Sequence, residues 1–224
     1  MNTALISHLV KKDWELNQGP MIAYLVLGII ALWLIITKSM MTFAIGSILL
    51  ITVVVTIGIH MVISTVTHER KNQTLTFIMS LPVSYREYTT AKMVANLVVT
   101  VGAWLFLYGM LVLVMNFIEN VPMGLMPLAT LTMLYLLVIY FVLLATSMIS
   151  ESEAVTIVVM TVMNMSISLY MIWLSAQPDI YQHNEGNIAV WTPLLKTVLV
   201  SELVAIGVII VATFMIQSRK RNFL

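Results

Sequence analysis

Six apolar runs dominate the chain, each close to the roughly 20 helical residues that cross a hydrocarbon layer of about 30 Å. Marked by their polar borders, they cover Met21 to Thr37, Met41 to Thr65, Met93 to Phe117, Leu125 to Ile149, Ala154 to Leu174 and Val198 to Ile216. Only helices and closed barrels satisfy their backbone hydrogen bonds within lipid. The runs lack the alternation of apolar and polar positions that barrel strands need, so the pattern predicts an all-α membrane protein with six transmembrane helices. Gly19 with Pro20 sets the start of the first, since proline is tolerated in a first helical turn. Ahead of it, Leu5, Ile6, Leu9 and Val10 recur at helical spacing, followed by Lys11, Lys12, Asp13 and Trp14. That arrangement suits an interfacial helix over 1–18; a frayed polar tail is the alternative.

Composition agrees with the pattern. Sixty per cent of the 224 residues are hydrophobic and nine per cent charged, far from the mixture of soluble domains. The length allows a single transmembrane domain over 1–224, so any soluble engine belongs to another chain. A net charge of +1 points to no nucleic acid. With no cysteine, disulfides, thiolate metal sites and cysteine nucleophiles are excluded. The first twenty residues lack the apolar core of a signal peptide, so the mature chain is expected to begin near Met1. Cationic loops are retained in the cytoplasm. Lys11, Lys12, Arg70, Lys71, Arg86, Lys92, Arg219, Lys220 and Arg221 fall on one side of the six-span topology, against Lys38 and Lys196 on the other. Both termini are therefore expected to be cytoplasmic, in a multi-pass protein of the cell membrane, with 175–193 as the longest outer loop. Trp173 and Trp191 border that loop, where aromatic rings favour the interface.

The longest charged interruption is 68–92, between the second and third spans. Within it Leu75, Ile78 and Met79 share one helical face. Leu81-Pro82 ends that short helix, because the residue before proline is disfavoured in the α conformation. Ser84 and Glu87 form a capping box that starts a new helix at Tyr85. Continued to Phe117, it would reach about 50 Å, more than the bilayer needs. The short helix reads as a docking element, or equally as a loop helix packed on its own bundle.

Glu69, Thr74-Leu75, the run Ser80-Leu81-Pro82-Val83-Ser84, Arg86-Glu87 and Lys92 resemble, in order and spacing, the signature of type-2 ABC transporter permeases. Two departures are Gln73, where that family often has glycine, and an arginine shifted one place by Tyr85. The resemblance implies that the segment is a cytoplasmic coupling helix seated on a separate ATP-binding-cassette subunit, with Glu69, Thr74, Leu75, Ile78, Met79, Leu81 and Pro82 as docking residues. It implies a second permease copy as homodimer or related partner, ATP and Mg on the partner ATPase, and no cofactor on this chain. No G-x-x-x-x-G-K-[ST] occurs, so the chain lacks the phosphate cradle of a P-loop ATPase.

Polar residues at bilayer depth are functional candidates, although interhelical hydrogen bonding is their common mundane use. Thr161, Asn164 and Ser168 share a face of the fifth span and suit a cargo path, a dimer seam or plain helix packing. His60 reads as a hydrogen-bonded structural imidazole rather than a proton relay, and Glu202 as a carboxylate near the outer interface that snorkels or pairs rather than an ion-coupling group. Eighteen methionines suit a cavity for varied apolar cargo, or serve as filler. His183 with Asp179 and Glu185 lacks diagnostic metal-ligand spacing, and no metal is expected. The leading reading is the transmembrane subunit of an ATP-driven exporter working by alternating access among membrane lipids. The rival is a non-transporting assembly or immunity subunit that recruits the ATPase. An intramembrane enzyme is disfavoured, because H-E-x-x-H, G-x-S-x-G and cysteine are all missing. An ion-driven carrier would need midplane carboxylates, which are not evident.

Overall fold

The computed structural model describes residues 3–37, 39–67, 85–118, 120–150 and 152–219. Every element among them is helical: α1 (Thr3–Ile36), α2 (Met40–Val62) continued by a π-helical turn (Ile63–Thr67), α3 (Tyr85–Phe117), α4 (Met126–Ser150), α5 (Glu153–Ser175), the single turn α6 (Pro178–Tyr181), and α7 (Pro193–Arg219). A 3₁₀ turn, Met123–Leu125, leads into α4. Six of these helices are long and apolar enough to cross a membrane: α1 to α5, and α7.

Local chemistry sets the helix ends. Ser152 caps α5 by accepting from the Val155 amide at 3.4 Å, and Pro193 opens α7, with Thr192 Oγ1 accepting from the Leu195 amide. Thr37 Oγ1 donates to the Leu34 carbonyl at 2.7 Å, closing α1.

One expectation from the sequence is corrected. Gly19-Pro20 does not separate an interfacial helix over 1–18 from the first span; α1 is one helix with Pro20 inside it. Proline there removes the bond to the Leu16 carbonyl and crowds it. The helix continues because both flanks are fixed: Asp13 and Asn17 before Pro20, and Met21 after it, are all buried against the neighbouring helices. Tertiary contacts outweigh the local break.

The helices alternate in direction, as their joined ends show. At one end Asn120 Nδ2 donates to the Ile36 carbonyl at 3.3 Å, and the Gly124 amide to the Gly186 carbonyl at 2.8 Å. A methyl group on Gly124 would run into the His183 carbonyl, so only glycine lets the 176–192 loop close over the start of α4. At the other end, where α1 begins and α7 finishes, Gln217 Nε2 donates to the Met148 carbonyl at 2.6 Å. We call these the loop end and the terminal end.

α4 is the central post, packed against α2, α5 and α7, while α1 packs against α2 and α3. Of its most apolar stretch 61% is buried, against 6% for α5 and 11% for α7, so those two offer most of their surface to whatever surrounds the chain. At Gly46 the backbone of α1 comes so close that an added Cβ would lie 2.7 Å from the Ala31 carbonyl.

Candidate functional site

Three pairs of polar residues, each spaced i, i+4, meet at the terminal end: Asp13 and Asn17 on α1, His60 and Ser64 on α2, Lys92 and Asn96 on α3. The spacing puts both members of a pair on one helix face. Lys92 Nζ lies 2.9 and 2.8 Å from the two carboxylate oxygens of Asp13. Lys92 is 0% and Asp13 2% exposed, so the pair is fully desolvated. Such a pair contributes little net stability, because desolvation cancels most of the attraction, but losing one partner strands a buried charge.

Asn17 extends the pair into α2. Its Nδ2 donates to the Asp13 carbonyl at 2.7 Å, and its Oδ1 accepts from His60 Nε2 at 3.1 Å and Ser64 Oγ at 2.6 Å. Because Oδ1 can only accept, His60 holds a proton on Nε2. His60 Nδ1 lies within hydrogen-bond distance of the Tyr24 hydroxyl, at 3.3 Å. Asn96 closes the block from α3, donating to Thr65 Oγ1 at 2.7 Å and to the Lys92 carbonyl at 3.0 Å. Thr65 lies in the π turn, a local widening of α2 of the kind found at functional positions.

The block brackets segment 68–84. The π turn is the last described part of α2 before that segment, and the first turns of α3, which carry Lys92, follow it. One set of hydrogen bonds therefore ties both roots of the segment to α1. At 33 residues α3 is about 50 Å long, which exceeds the hydrocarbon thickness.

Of the residues singled out from sequence, Glu69, Thr74, Leu75, Ile78, Met79, Leu81, Pro82 and Ser84 lie outside the described residues, as does the side chain of Glu87. Thr161 and Ser168 are exposed on α5 and Asn164 is half-buried; Thr161 Oγ1 donates to the Ile157 carbonyl of its own helix. A cavity of about 200 Å³ near the loop end is lined by side chains from five helices, apolar except for Ser47 and Thr132, with Met115, Met133 and Met171 among them. Thr161, Asn164 and Ser168 do not line it. His60 is hydrogen-bonded, as read. Asn17, Ser64 and Asn96 were missed, and the repeated i, i+4 polar pairing inside apolar helices was the signal available for them.

A family model described as ABC-2 family transporter protein matches residues 8–220. No match was found among curated proteins or among solved structures.

Proposed function

The chain belongs to the ABC-2 family of transporter proteins, a transmembrane subunit of an ABC transporter, and from that premise we propose that it is the permease of an exporter powered by a separate ATPase. In this reading the terminal end faces the cytoplasm of a cell membrane. The segment 68–84 carries a coupling helix that docks on the ATPase through Leu75 and Ile78, two copies of the chain form the pathway, and ATP with Mg is held by the partner.

The observation that supports this reading is the bonded block of α1, α2 and α3. A push delivered to 68–84 reaches α2 through Thr65 and Ser64, and α3 through Lys92 and Asn96; Asn17 and Asp13 pass it to α1. Three spans then move as a unit, which is what a two-state bundle needs if a partner's closure is to bias its equilibrium.

The test is Leu75→Asp with Ile78→Asp. Two charges in a desolvated contact cost several kcal/mol, so copurification of the ATPase and cargo-stimulated ATP hydrolysis should fall at least tenfold while membrane insertion is unchanged. Thr76→Asp, on the opposite side of the same short helix, should do much less. Normal ATPase association in the double variant would sink the docking claim.

A further inference from the structure

A second buried acidic group lies far from the coupling block. Glu202 is the tenth residue of α7. It is 6% exposed. Its Oε1 accepts from the Tyr170 hydroxyl at 2.5 Å, while its Oε2 is shut off from solvent without a hydrogen-bond partner among the described residues. Tyr170 is itself held in place: its ring stacks on Tyr135 of α4 at 3.9 Å between centroids, and the Tyr135 hydroxyl donates to Ser166 Oγ.

The charge inventory around Glu202 is one-sided. α4, its main packing partner, contains no Lys, Arg, His, Asp or Glu, and α5 has only Glu153, at its opposite end. On α7 itself Lys196 is exposed and six residues away, off the Glu202 face, and Arg219 lies at the terminal end. Among the described residues of α4, α5 and α7, the ionisable groups on the Glu202 side are therefore Tyr170 and, stacked behind it, Tyr135; Tyr140, the other ionisable residue of α4, packs beside Gly58 of α2, and the 176–192 loop, with Asp179, His183 and Glu185, packs through Ile180 against Leu195, two turns before Glu202. A bare carboxylate in this position would be a buried charge with no cation from the described residues of α4, α5 or α7 to offset it, the arrangement that hydrocarbon surroundings penalise most.

We propose that Glu202 is a proton-binding site, the carboxyl being held in its acid form with Tyr170 as the positioning donor to Oε1. The proton resides on Oε2, the oxygen left without a partner, and the neutral acid lets Tyr170 bridge α5 to α7 without importing charge. The proposal is independent of the transport reading, since it concerns the permease chain alone.

Infrared spectra of the full chain in vesicles of ether-linked phosphatidylcholine, which has no ester carbonyl to mask the region, test it directly. At neutral pH the wild type should show a carboxylic-acid carbonyl band that is lost in Glu202→Gln and kept in Glu153→Gln. Tyr170→Phe should keep the band but shift it, because Oε1 loses its donor; an unshifted band overturns the role given to Tyr170. Identical wild-type and Glu202→Gln spectra overturn the site. So does failure of Glu202→Gln to insert, because a neutral isostere should replace a neutral acid without penalty.

Discussion

Lys92 and Asp13 show how much depends on a pair when both members are out of water. Removing the lysine alone, as in Lys92→Met, takes the nearest cation from a carboxylate that is 2% exposed and leaves Lys12 Nζ farther off, at 3.9 Å from Asp13 Oδ1, and stability should fall by up to about 3–5 kcal/mol. Removing both charges together, in Asp13→Leu with Lys92→Met, should recover most of that loss. Reversible unfolding in mixed micelles checks the pair of outcomes. A double variant no more stable than the single one would mean that Lys92 is not the charge that offsets Asp13. Of this site, Lys92 was legible as part of a motif and His60 as a hydrogen-bonded imidazole. The bond between Asp13 and Lys92 was not, because 79 positions separate them and nothing local to either residue encodes the other.

At the scale of elements, the helices are held by close approach as much as by apolar area. Gly46 is where α2 meets the backbone of α1, with Ala31 O, Ile35 N and Leu34 Cβ all within 3 Å of an added Cβ. Backbone atoms cannot swing aside as a flexible side chain can. Gly46→Leu should therefore cost about 1–3 kcal/mol by overpacking. Gly102→Leu, at a position on α3 with nothing within 4 Å, should be neutral or slightly stabilising, since glycine is a poor helix former. Thermal unfolding of the two variants side by side reads the difference. α1 makes the complementary point: a Gly-Pro step that locally favours a break lies inside a continuous helix, because buried residues on both sides of it are anchored to α2 and α3.

For the whole molecule, the lopsided placement of Lys and Arg predicts which face is which. In a chain with no native cysteine, a cysteine at Gln182 in the 176–192 loop should react with an impermeant thiol reagent in intact cells, and one at Gln73 should not. Labelling of both, or of neither, contradicts the six-span orientation. The number of spans and the helical class were determined by the sequence itself, since apolar runs of this length without strand-like alternation leave the backbone only the helix to satisfy its hydrogen bonds in lipid; the start of the first helix was not, because tertiary contacts carry it through Pro20. The motif between the second and third spans likewise pointed to the family. What only the tertiary structure decided is which polar residues face one another. Asp13 with Lys92, Asn17 with His60, and Glu202 with Tyr170 each join different helices. Helical periodicity fixes the face on which a side chain stands, but helix rotation and packing fix the neighbour that it meets.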